Sequence, residues 1–269
     1  MDNISVLETL ENERVKIEVM QYDQLTGSDD PQLSFRLYYH YKQGARLKQV
    51  KLELKKGQMK IESGALHFMK GNVKMETPVK KGLLRNVGTG LLGGESVFKP
   101  VYSGIGEVWL EPSFKHYLLV DLQGEEIIVD KGMFLACEEQ MEVSAVVQKN
   151  ISSAFFGGEG FFQTRISGNG LVVLESPVPM QEVLVYQLNN ETLQVDGNFA
   201  LLRRGDIQFS VEMSSKGIIN TMASGEGLLQ TFRGTGEVWL APTQAVYNNL
   251  KFLGTQSVSG KGSNTDTRK

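Results

Sequence analysis

Apolar and polar residues alternate with a period of two along much of the chain. Over residues 14–22, Val15, Ile17 and Val19 share one face, and over 50–54 Val50, Leu52 and Leu54 do the same. Successive side chains of an extended strand point to opposite faces, so each stretch predicts a strand with one buried face. The same pattern over 33–41 sets Leu33, Phe35, Leu37, Tyr39 and Tyr41 against Ser34, Arg36, Tyr38 and His40. The segment between, "DQLTGSDDP", is rich in turn formers. Together they predict an N-terminal hairpin over about residues 14–41. The only helical expectation is a short, glycine-interrupted stretch over 80–92.

The pattern also recurs at longer range. "GGESVFKPVYSGIGEVWLEP" from Gly93, "GGEGFFQTRISGNGLVVLES" from Gly157 and "SGEGLLQTFRGTGEVWLAP" from Ser224 align. Each has Gly-Glu, two apolar residues, a polar stretch, Gly-x-Gly and an apolar strand. Their glutamates, Glu95, Glu159 and Glu226, are 64 and 67 residues apart. A second signature, "ESGALHF", "DKGMFLA" and "DGNFALL", places Gly64, Gly132 and Gly197 at spacings of 68 and 65. Two signatures in phase predict about three copies of one ~65-residue meander. One such unit cannot bury both faces, so three are expected to pack into an all-β barrel or sandwich with pseudo-threefold symmetry. The expected domain spans residues 1–253. The polar stretch 254–269 is expected to be a disordered tail.

Composition changes this picture little. The chain has 269 residues, 41% hydrophobic and 22% charged, with 29 glycines and 7 prolines. That length can bury a core without staples. Cys137 is the lone cysteine, which fits a reducing compartment. The start, "MDNISVLETLENERVK", lacks the basic and apolar regions of a secretory signal, and no stretch is long and apolar enough for a transmembrane segment. The expected location is the cytoplasm.

"ALHFMKGNVKME", "KKGLLRNVGTGLLGGES", "FFGGEGFFQTRISGNG" and "GEGLLQTFRGTGEVWLAP", in this order over roughly residues 50–245, resemble the altered-inheritance-of-mitochondria family. The resemblance implies an all-β fold similar to the tryptophan-RNA-binding attenuation protein. It implies no catalytic residues. Mitochondrial members are associated with inner-membrane organisation, a role that does not transfer to a chain without a transit peptide.

Catalytic motifs are weak. "GTGLLG" at 88–93 matches a dinucleotide fingerprint, but that fingerprint works only between a strand and a long helix. His40, His67 and His116 have no ligand-spaced partners, and no cofactor or metal is expected. Cys137 follows "MFLA" and reads as a buried small hydrophobe. Trp109 and Trp239 occupy equivalent places, with Val173 in the middle copy, which points to core packing. Glu95, Glu159 and Glu226 read as a structural repeat motif in which each carboxylate holds its own glycine turn. Convergence on a cation is the alternative.

Charge is uneven. Residues 36–85 hold 13 Lys/Arg and 3 acids, whereas the whole chain is −3. The expected function is a non-catalytic scaffold or assembly protein that acts through its β surface as a homo-oligomer. The alternative is a binding module for an anionic partner, nucleic acid or an acidic membrane surface, using Arg36, Tyr38, His40, Lys51 and Lys55. A lysine-rich edge that blocks strand aggregation explains the same charge.

Overall fold

A computed structural model describes residues 3–77, 99–147, 162–213 and 228–249. The chain opens with a hairpin of β1 (Ile4–Glu11) and β2 (Val15–Tyr22), followed by helix α1 (Pro31–Lys42). Next come β3 (Lys48–Leu54), β4 (Gln58–Ile61), β5 (Leu66–Glu76) and β6 (Val101–Leu110). Then follow β7 (His116–Asp130), β8 (Phe134–Glu138), β9 (Glu142–Val147) and β10 (Phe162–Ser176). The last group is β11 (Leu184–Asp196), β12 (Ala200–Met213) and β13 (Leu228–Leu240). Pairing is antiparallel in the order β1-β2-β3-β6-β4-β8-β10-β7-β12-β13-β11, with β5 beside β6 and β9 beside β10. The fold is all-β, as the alternation predicts.

The N-terminal hairpin differs from expectation. It joins β1 to β2, and residues 31–42 are a helix rather than its second strand. The local chemistry explains this. The Asp30 carboxylate caps the helix by accepting from the Gln32 N–H at 2.8 Å, and Pro31 supplies the preset φ of a first helical position. Gly44, at φ +80, takes the left-handed turn that ends it. None of the helix's residues is buried. The apparent period of two arose from apolar side chains distributed all round an exposed helix. The stretch 80–92, the residues 254–269, and Glu95, Glu159 and Glu226 lie outside the described residues.

The same pairing scheme occurs three times. Leu54 pairs Gly106 and Lys51 pairs Trp109; Leu122 pairs Gly170 and Leu119 pairs Val173; Leu188 pairs Gly236 and Val185 pairs Trp239. On the other side of β6, β10 and β13, the partner strand carries a one-residue bulge at the same place. It falls between Leu66 and Phe68, Phe134 and Ala136, and Ala200 and Leu202. The Gly-x-Gly pairs have a steric cause. Gly104 and Gly234 have φ of +122 and +133, and a Cβ on either would run into the carbonyl of Asn72 or Asp206 on the facing strand.

The three groups are joined in line, by one kind of contact used twice. β4 meets β8 through Lys60–Cys137 and Ile61–Ala136. β7 meets β12 through Ile128–Arg203 and Val129–Leu202. By register, Lys60 corresponds to Ile128, and Cys137 to Arg203. Each joint sits in a core. Met59, Ile61 and Ala136 belong to one apolar cluster, and Ile127, Val129 and Leu202 to another. A third, smaller cluster around Phe232, Val238 and Leu240 draws on the last group alone.

Candidate interaction edges

The residues chosen from the sequence as an anionic-partner face lie on two elements, α1 and β3, with Lys55 just beyond β3. Arg36, Tyr38 and His40 are on α1, where residues four apart share a side and residues two apart face away. Arg36 and His40, four apart, share a side of the helix. Tyr38 and His40 line a cleft of about 240 Å³ between α1 and the ends of β2 and β3, with Tyr22, Arg46 and Phe114. Lys51 is on β3, inside a ladder of charges. Glu18 takes Lys16 at 2.7 Å and Lys51 at 3.2 Å, and Lys51 reaches Glu107 at 3.3 Å. The two cations hold the Glu18 carboxyl below its ordinary range against the opposing cost of burial. Lys55 pairs with Glu11 at 2.9 Å. Lys51 and Lys55, two of the three lysine and arginine residues read as a free face, are thus paired with acids.

Other candidates have structural settings. Cys137 is fully buried, and burial pushes its thiol up to about 12, far from a reactive thiolate. His67 lies in β5, with its ring nitrogen 2.9 Å from the Gln49 amide. His116 opens β7, and burial, reinforced by Lys48, lowers it to about 4. Among the described residues, no three His, Cys, Asp or Glu side chains are grouped to hold a metal.

Sequence reasoning passed over three polar groups. In the two "GEVWL" copies the glutamate accepts from its own tryptophan two residues on, Glu107 from Trp109 at 3.2 Å and Glu237 from Trp239 at 3.1 Å. Arg204 also grips Glu237 through two nitrogens at 2.7 and 2.8 Å, and this pairing drives the Glu237 carboxyl down to about 2. The shared tripeptide Glu-Val-Trp was a visible signal. Glu138, only 1% exposed, accepts from Asn12, Arg14 and the Leu171 N–H, at 2.9, 2.9 and 3.0 Å. Arg203 is buried, bonds Gln163 at 2.7 Å and lies over the Phe209 ring, and its Nε has no partner among the described residues. Neither of these two has a local sequence signal, because their hydrogen-bond partners are 30 or more residues away.

Two strand edges stand out. Among the described residues β5 pairs only with β6, and β11 only with β13. Phe68 and Met69 on β5 are 46% and 45% exposed, where the corresponding Ala136–Cys137 and Leu202–Arg203 are buried. On β11, Leu184 and Tyr186 are 48% and 42% exposed, where Val50 and Leu52 of β3 are fully buried. β11 also lacks Lys, Arg and Pro, the residues that usually defend an edge. Such edges offer free backbone donors and acceptors beside apolar side chains, which is the chemistry of strand addition.

These features define an antiparallel all-β protein with one pairing scheme used repeatedly and, among the described residues, strand edges that expose apolar side chains. Its family follows from comparison. Residues 39–243 match the family described as Mitochondrial biogenesis AIM24, and the chain belongs to that family. It is similar to an uncharacterized protein of Streptococcus pyogenes serotype M6. The two are 22% identical over 226 residues, which cover 80% of this chain and 89% of that one. An X-ray crystal structure of a protein from Streptococcus pyogenes shares the fold, with a TM-score of 0.56 and 21% identity. That match covers 77% of this chain and 94% of the other. No helix among the described residues is long and apolar enough to cross a membrane.

Proposed function

We propose that this chain is a non-catalytic assembly protein of the cytoplasm, built from three copies of one β unit and acting as a homo-oligomer through its β surface. The observation that carries this reading is the pair of bare edges, β5 and β11. Each exposes apolar side chains at positions that are sealed in the sister strands. An exposed apolar strand edge is an aggregation hazard unless a partner covers it. Covering both at once calls for a defined neighbour, and a second copy of the chain supplies one. Sedimentation over a hundredfold concentration range tests this. A mass of at least twice 29.9 kDa is the expected result. A monomer throughout would overturn the reading.

A further inference from the structure

We propose that the β11 edge of one copy pairs antiparallel with the β5 edge of the next, head to tail, with Leu193 opposite Lys70, Gln194 opposite Met69 and Val195 opposite Phe68. This rests on the assembly reading and gives it a register.

The argument is one of an unfinished series. Within the chain, the second half of each group's first strand accepts the second strand of the next group. Met59, Lys60 and Ile61 receive Glu138, Cys137 and Ala136. Ile127, Ile128 and Val129 receive Arg204, Arg203 and Leu202. The third acceptor is fixed by its pairing to β13. Leu193, Gln194 and Val195 face Phe232, Thr231 and Gln230, as Ile127 and Ile128 face Ile166 and Arg165. The donor of the first group is equally fixed. Phe68 and Met69 face Trp109 and Val108, as Ala136 and Cys137 face Val173 and Val172. Among the described residues, the last group therefore presents an acceptor with no donor, and the first group a donor with no acceptor. Among the described residues the two strands are not paired with each other. A second copy carries both missing halves.

Side chains agree with the register. Val195 is already packed into the small third core and Leu193 lies against it, just as Ile61 and Val129 anchor the two filled joints. Phe68, stacked on Trp109 at 5.3 Å between ring centres, would cover that core from the other side. Charge agrees too. β11 carries Glu191 and Asp196 and no cation, whereas β5 carries Lys70 and Lys74. Glu191 then lies diagonal to Lys70, a separation long side chains span. Such a contact is heterologous, so repetition yields a ring or a filament.

The test mixes two full-length variants under mild oxidation, one with Met69→Cys and one with Gln194→Cys. Directly opposed residues of an antiparallel pair lie about 4.5–5.5 Å apart at Cα, inside the range that a disulfide bridges. The native Cys137 is buried and serves as an inert background. The expected result is a covalent dimer from this mixture, at least tenfold more than from Met69→Cys with Thr192→Cys. Both changed positions are exposed, and an unchanged thermal midpoint confirms the fold. As a second readout, Met69→Glu should weaken assembly at least tenfold by facing the acidic β11, and Met69→Lys should weaken it less. An oligomer without the disulfide would overturn this register and leave assembly standing. A monomer would overturn both. A bridge that forms only within a single chain carrying both cysteines would show internal closure and overturn the second-copy proposal.

Discussion

β3 and β11 make the same hydrogen bonds to the same kind of strand, yet one is sealed and the other bare. Leu54 and Leu188 face the same glycine, and Lys51 and Val185 face the same tryptophan. The difference lies outside the shared scheme. The β1–β2 hairpin pairs with β3 over its whole length, from Val15–Leu54 to Gln21–Lys48, and brings Val15, Ile17 and Val19 into its core. Nothing corresponding pairs with the outer edge of β11 among the described residues. Backbone pairing is thus encoded locally, by glycines and a bulge. Burial is encoded by what the chain adds beside each copy.

If backbone pairing is what the two groups share, breaking a glycine should unfold either one. Gly236→Ala, at φ +151 and pressed against the Arg204 carbonyl, should cost about 4 kcal/mol in urea titration. Gly197→Ala has a strained φ of +94, but its nearest contact is the Phe199 ring at 3.7 Å, so it should cost only about 1 kcal/mol. Equal costs would mean that close approach is not what selects Gly-x-Gly.

The middle group sharpens the comparison, because its glycine makes room for a side chain instead. A Cβ on Gly170 would come within 2.8 Å of the Glu138 Oε2. Glu138 ties the β1–β2 turn to β10 through Asn12, Arg14 and the Leu171 amide. Glu138→Ala leaves that buried amide without its acceptor and should lower stability by about 3 kcal/mol. Arg14→Ala, at the exposed end of the pair, should cost under about 1 kcal/mol. The reverse ranking would show that the hairpin is held by charge attraction rather than by satisfied buried groups.

The covered and bare strands can be compared at one matched position. Val50 and Leu184 correspond, one fully buried and one about half exposed. Val50→Ala should cost about 2 kcal/mol, and Leu184→Ala under about 0.5 kcal/mol at dilute concentration. A Leu184→Ala cost that grows with protein concentration would show that assembly covers this face as well.

Much of this comparison was legible before any coordinates. The Gly-x-Gly signature marks the three central strands, and Gly64, Gly132 and Gly197 mark the turns before the bulged partners, all three left-handed. The alternation at Val15–Val19 and Val50–Leu54 correctly named core faces. The failure at 33–41 came from weighing a period of two above Asp30 and Pro31, a capping residue and a first-turn proline that start a helix. That error also placed Arg36, Tyr38 and His40 on a strand face, whereas they lie on α1. The ladder through Glu18, Lys51 and Glu107 escaped because cross-strand neighbours 33 and 56 residues away leave no mark in the sequence. Undefended edges were half visible. The absence of Lys, Arg and Pro in β11 could be read directly, but not that the strand would be an edge.

A pH-dependent effect concerns the first residue of β7, between the covered and the bare groups. His116 corresponds by register to Lys48 at the start of β3, and its imidazole feels the charges of both Lys48 and Glu182. Burial is the main cause of its depression to about 4, Lys48 adds to it, and Glu182 opposes it. The ring is therefore neutral in the folded chain between pH 4 and 6.5, while the unfolded chain protonates near 6.5. The unfolded state binds more protons in that window, so the stability it contributes is complete above pH 6.5 and is lost as pH falls toward 4. The site is only partly buried, and the effect should be about 1 kcal/mol after screening. Glu237 behaves differently. Its depressed carboxyl loses its contribution lower, as pH falls from the ordinary carboxylate range toward 2. Urea titrations at pH 7, 5.5 and 4.5 should show the first decline in the parent and not in His116→Gln. If the variant keeps the slope, another group titrates in that window and the Lys48–His116–Glu182 row is not its source.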